Sequence, residues 1–385
     1  MDKTIGEVLH ELMDRHPAVS EWERAGFHRE MLADFSLSYQ LGRLTKHELD
    51  QIRQYLRVRK ASTLRKQELI VVLSQAIKLK APQLLQVIDE ITYDYILDLV
   101  ENKGLLRQAD QIFLGTLLFL QQAGLAFAGE MHSVGPVLVM PREIVDVLAP
   151  LLKQDAVRQA VRDNQRLLMA MRGIVAHYGA IDGVQAQRML EGMGFSVSTA
   201  RFFAVQFGCG LANGYFDWQE GYLCDKRLMD RNELLLEQRK YPYLHYYPLT
   251  RAKAVAMGEQ LYLDWAEEHR ELFDHLQDAG GLDDDQTSEL VAFLLFCMNN
   301  GLSSAMLLSE VARLGVPTKG YAQAAEILRL TEAARQHTRL WALKGYTPME
   351  VAEIERRPRL QVLTRDGTKP HSPNPRSKGG RISGK

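Results

Sequence analysis

Residues 44–77 read LTKHELDQIRQYLRVRKASTLRKQELIVVLSQAI, and no other stretch of the chain carries a stronger local signal. Thr45 and Glu48 stand at capping-box spacing and open an apolar series, Leu49, Ile52 and Leu56. That pattern predicts a short amphipathic helix. A connector over 58–63 follows, and then Leu64, Leu69, Val72, Leu73 and Ile77 recur at helical spacing, predicting a second helix. Around the link between them sit Arg57, Arg59, Lys60, Arg65 and Lys66. Clustered cations of this kind displace counterions from a phosphate backbone, which gives salt-sensitive affinity without base readout. The competing expectation is a solvated basic face on a small helical module.

Charge is uneven along the rest of the chain. Residues 43–80 hold ten Lys/Arg against three acids, and residues 356–385 hold nine against Asp366 alone. The formal net charge of the whole is only -1, so an acidic body lies between two basic pieces. Such an arrangement often marks a polyanion-binding module or tail. At 385 residues, with 46% hydrophobic and 25% charged residues, the chain reads as globular and multidomain. Three scattered cysteines, Cys209, Cys224 and Cys297, form neither a disulfide framework nor a four-thiolate zinc site. No apolar run is long enough to span a bilayer, and the first residues lack a signal core. A cytoplasmic setting is the expectation.

Two short helices with an extended basic link resemble the N-terminal domain of transcription termination factor Rho and the related SAP-type helix–extended–helix modules. The resemblance rests on LTKHELDQIRQYL and LRKQELI, about a tenth of the chain. It implies association with nucleic acid, with RNA or DNA backbone as partner and a transcription-related role.

Downstream, residues 84–152 and 164–240 read as two diverged copies of one unit. The first predicts helices over 84–101 and 110–122, a hairpin from 125–129 and 137–140, and a closing helix opened by Pro141. The second predicts helices over 164–178, 183–192 and 198–207, a hairpin around Gln219, Glu220 and Gly221, and a closing helix over 228–240. Three helices with a two-stranded wing resemble the winged-helix fold, twice. Base reading is not expected of them, because a major-groove helix needs Arg, Lys, Asn or Gln on its outer face. DQIFLGTLLFLQQ has no base, the wing FDWQEGYLCD carries only acids, and the second candidate helix offers only Arg201.

Residues 1–42 read as a helical lead, 248–360 as a helical C-terminal domain, and 361–385 as a disordered basic tail. The helices expected in the C-terminal domain are 251–268, 289–297, 303–314 and 321–342. The connector YPYLHYYPLT, residues 241–250, reads as packing at a joint, although its rings could stack bases. Asp283, Asp284 and Asp285 suit a helix start better than a metal box. Glu271 with His275 lacks further metal ligands, and His10, His16 and His28 match no ligand spacing. The run KGYTPMEVAEIERRPRL and its Pro/Gly tail resemble bacterial proteins ending in a SEC-C zinc-chelating motif. The cysteines that would hold zinc are absent and only His371 remains, so no zinc or other cofactor is expected.

No Walker loop, Gly-x-Gly-x-x-Gly, nucleophile elbow or His-Glu-x-x-His helix occurs. The sequence thus points to a mainly α, multidomain, non-enzymatic protein. Its expected phosphate contacts are Arg57, Arg59, Lys60, Arg65 and Lys66, with Arg376, Lys378 and Arg381 as helpers. A protein–protein adaptor with an incidental basic module is the alternative.

Overall fold

The computed structural model describes residues 26–260, 265–318 and 320–356. His10, His16, His371, Arg376, Lys378 and Arg381 therefore lie outside the described residues. Within them the chain is mainly helical, with two small antiparallel sheets.

The opening signal folds as its spacing demands. After α1 (Leu37–Arg43) comes α2 (Lys46–Tyr55), where Thr45 Oγ1 accepts from the Glu48 amide at 3.3 Å. The Glu48 carboxylate accepts in turn from the Thr45 amide at 2.7 Å, which satisfies two of the amides a helix start leaves unpaired. The second helix, α3 (Lys66–Leu84), opens on Glu68, whose carboxylate accepts from the Arg65 amide at 2.8 Å. Leu49, Ile52 and Leu56 of the first stripe, and Leu69, Leu73 and Ile77 of the second, are buried. Each such side chain contributes roughly 1.5–3 kcal/mol on burial.

The first downstream unit comprises α4 (Glu90–Glu101), β1 (Leu105–Arg107), α5 (Leu114–Gln122), β2 (Phe127–Met131), β3 (Gly135–Val139) and α6 (Arg142–Leu152). The second repeats that order. It runs through α7 (Asp155–Tyr178), β4 (Ala180–Asp182), α8 (Gly183–Gly192), α9 (Thr199–Val205), β5 (Asp217–Gln219), β6 (Tyr222–Cys224) and α10 (Arg231–Arg239). A short 3-10 turn at Ala109–Gln111 holds the place in the first that α8 holds in the second. Both sheets have the same arrangement, β1-β3-β2 and β4-β6-β5.

Several expected boundaries move. Each expected hairpin belongs to a three-stranded sheet, to which β1 and β4 add a strand. The helix expected over 84–101 does not form as one piece. α3 runs on to Leu84, and a new helix starts after Asp89, whose carboxylate accepts from the Thr92 amide at 2.9 Å. Pro141 caps α6 from outside and is not its first residue. α9 ends at Val205 and widens into a π turn over Gln206–Gly210.

The basic module and the first unit share one hydrophobic core that runs from Phe27 to Val161 and includes α1. The second unit has its own core, and the C-terminal helices have a third. Those helices are α11 (Arg251–Gln260), α12 (Glu267–Gly280), α13 (Asp284–Asn299), α14 (Ser304–Arg313), α15 (Tyr321–His337) and α16 (Pro348–Arg356). α12 is unanticipated, and α15 stops at His337, short of the expected 342. α11, counted with the C-terminal domain by sequence, crosses α7 and belongs to the second core through Ala254. Backbones touch there. A Cβ on Gly173 would lie 1.9 Å from the Ala254 carbonyl oxygen, and one on Gly258 would lie 1.9 Å from that of Met169.

The two units meet through buried polar groups. Asp89 Oδ2 accepts from Asn213 Nδ2 at 2.5 Å and from the Tyr215 hydroxyl at 3.0 Å. Burial and the adjacent Asp89 hold the Tyr215 phenol well above its ordinary range, so it remains a donor. Asn164 Nδ2 donates to the carbonyls of Gln86 and Ile88, both at 2.9 Å. Gly115, in α5, admits the Ala212 carbonyl so closely that a Cβ would lie 1.4 Å from its oxygen.

Candidate nucleic-acid interface

α2 ends in a Schellman motif. The Arg57 amide donates to the Gln54 carbonyl and the Val58 amide to the Arg53 carbonyl, both at 2.9 Å. This geometry requires a left-handed residue after the cap, and Arg57 takes it with φ of 52°. Lys60 is left-handed as well, at 57°. Glycine is the residue that occupies such positions at least cost. Lys103 and Lys344 do the same elsewhere, where a cation also complements a helix C-terminus.

The structure divides the five expected cations. Arg57, Arg59, Lys60 and Arg65 are exposed, and among the described residues none of them forms a salt bridge or a side-chain hydrogen bond. Lys66 is half-buried, and its ammonium donates to the Gly42 carbonyl at 2.8 Å. It ties α3 to the end of α1. Two further cations are similarly engaged: Lys80 donates to the Leu56 carbonyl at the end of α2, and Arg53 grips Asp50 at 2.6 Å and the Val58 carbonyl at 3.2 Å. No acid lies between Arg57 and Arg65, and the nearest, Glu68, is occupied with the helix start. Four cations within nine residues thus face solvent without a partner.

Beside the link runs a groove of about 760 Å3 that sequence alone did not disclose. Arg57 and Lys80 line it, together with Tyr55, Gln83, Leu84 and Phe203 of the second unit. Its walls come from residues some 150 positions apart, so no local pattern could have revealed it.

The helices that would read bases are not presented. On α5, Thr116, Leu117, Phe119 and Leu120 are buried, and Gly115 abuts the second unit. Arg201, the one cation of α9, donates to Asn164 Oδ1 at 3.0 Å. At the turn between β5 and β6, Glu220 pairs with Arg231 at 2.6 Å.

The remaining expected features have plain structural roles. In the connector, Tyr246 and Tyr247 pack on the second core, and the Tyr178 hydroxyl donates to the Tyr247 carbonyl at 2.5 Å. Arg339 lies 3.7 Å above the Tyr247 ring. Asp283 caps α13, accepting from the Gln286 amide at 2.8 Å, with Asp284 and Asp285 in the first turn. All three cysteines are buried. Burial pushes the Cys224 and Cys297 thiols up to about 12 and raises the Cys209 thiol well above its ordinary range, which keeps all three protonated and poorly nucleophilic. Among the described residues, no group of three or more His, Cys, Asp or Glu stands close enough to hold a metal ion, and Glu271 and His275 gain no third ligand. No described helix is long and apolar enough to cross a membrane.

No family model matches the chain, and neither the curated proteins nor the solved structures yield a match.

Proposed function

We propose that this chain is a non-enzymatic, nucleic-acid-associated binding protein whose link at 57–65 contacts phosphates. One observation carries the reading: Arg57, Arg59, Lys60 and Arg65 are exposed and uncommitted, while the neighbouring Arg53, Lys66 and Lys80 are engaged in the fold. Contacts of this kind bind the backbone and leave base identity unread. The two winged-helix-like units fit an architectural role, since their candidate reading helices are packed or carry inward-turned charge. The Rho-N/SAP-like likeness of the module supports the same reading, and the adaptor alternative makes no use of the four free cations.

The test is binding of the purified full chain to labelled single-stranded RNA and to duplex DNA across a salt series. Wild type is compared with a variant carrying Arg57→Ala, Arg59→Ala, Lys60→Ala and Arg65→Ala. Micromolar or tighter binding is expected for the wild type. Loss of four phosphate contacts flattens the log–log salt slope by about 3. Absence of wild-type binding at low salt, or equal slopes for the two proteins, overturns the proposal and leaves the adaptor reading in front.

A further inference from the structure

We infer that the joint between the second unit and the C-terminal helices holds a binding site for a small molecule with an apolar body and a single anionic group. The site is a cavity of about 350 Å3, within the range of about 300–1,000 Å3 typical of small-molecule pockets. Its floor is Phe293, Phe296 and Cys297 of α13 with Leu302 just beyond. Burial keeps the Cys297 thiol protonated, so the floor is chemically apolar throughout.

Hydrogen bonds fix the lining in place. Asn300 Oδ1 accepts from the Met229 amide at 2.9 Å, and its Nδ2 donates to the Phe296 carbonyl at 3.1 Å. Arg335 donates to the Leu302 carbonyl at 2.5 Å. Across the cavity, Arg227 makes a two-pronged contact with the buried Asp225 at 2.9 and 2.8 Å. Protein interiors close apolar voids of this size unless rigid walls prevent it, and a dry apolar cavity readily accepts an apolar guest.

The mouth supplies the charge. Arg227, Lys226 and Arg313 line it against the single acid Glu310. Asp225 offsets Arg227 and Glu310 offsets Arg313, the latter at 2.6 Å. Lys226 forms no salt bridge among the described residues; it lines the cavity and its ammonium packs against Gly214 beyond the lining, leaving one positive charge in excess beside the mouth. An apolar floor beneath a singly cationic rim matches an apolar monoanion.

Two fluorescent probes read this on the full chain: 8-anilinonaphthalene-1-sulfonate, an apolar monoanion, and its uncharged relative N-phenyl-1-naphthylamine. One sulfonate per chain is expected to bind. Leu302→Trp from the floor and Met229→Trp from the mouth should each weaken it about tenfold or more, and either serves if the other fails to fold. Lys226→Glu should weaken the sulfonate about fivefold and leave the neutral probe within twofold. Lack of sulfonate binding, or unchanged affinity in a folded tryptophan variant, overturns the site. Equal response of both probes to Lys226→Glu overturns the anionic assignment.

Discussion

Two arginine-bearing segments of this molecule are built in opposite ways. Between 225 and 231, Arg227 is held by Asp225, and Arg231 reaches Glu220 at 2.6 Å and the Gln219 carbonyl at 2.7 Å. Between 57 and 65, no cation holds anything. The difference teaches that arginines become part of the fold where acids stand within reach of them, and remain available where acids are missing. In the first segment Asp225 lies two residues from Arg227, and a two-residue turn at Glu220 and Gly221, both left-handed, brings Glu220 back to Arg231. In the second, the acids at 48, 50 and 68 are drawn into caps and a local pair.

Breaking the paired segment should have the largest effect. Asp225→Ala leaves Arg227 half-buried without its counter-charge, and is expected to destabilise the protein by about 2–4 kcal/mol in urea unfolding. A loss below about 0.5 kcal/mol would place Arg227 among the free cations and erase the contrast. Next comes Lys80→Met, which preserves the stem of the side chain and removes the donor to the Leu56 carbonyl. The expected cost is about 1 kcal/mol, from one hydrogen bond and its favourable position at a helix C-terminus. Binding to nucleic acid should change little, because that ammonium is already committed. The smallest effect has the opposite sign. Arg57→Gly relieves a left-handed arginine and should stabilise by about 0.5 kcal/mol, a gain reduced by glycine's freer unfolded chain. The same substitution should lower affinity for RNA in filter binding. Destabilisation would mean that the Arg57 side chain serves the fold after all.

Much of the fold could be read from residue spacing. Leu49, Ile52 and Leu56, then Leu69, Leu73 and Ile77, gave their stripes because one buried face per helix fixes a repeat of three to four. β1 and β4 were not legible, since three residues cannot display alternation. The break at 85–89 was hidden because Leu85 and Ile88 are buried although not helical, which prolongs the apolar rhythm. α12 escaped notice for another reason: EEHRELFDHLQDAG exposes a strongly acidic face and buries little beyond Leu272 and Leu276. At the candidate site the cation cluster was visible, but its division was not. The carbonyls that hold Lys66 and Lys80 each belong to residues 24 positions away, beyond the reach of any local pattern.

The core that runs unbroken from Phe27 to Val161 also governs the thermodynamics of whatever the link touches. A basic arm on a flexible tether surrenders chain entropy each time it settles on a partner, and much of its electrostatic gain goes to offset that loss. Here the backbone on both sides of the four cations is already anchored, by a Schellman turn at one end and a capped helix at the other. Most of the ordering has been done by folding, before any phosphate arrives. With little chain ordering to offset the release of counterions, association should show a favourable entropy in calorimetry, the signature of a rigid platform rather than a grasping tail.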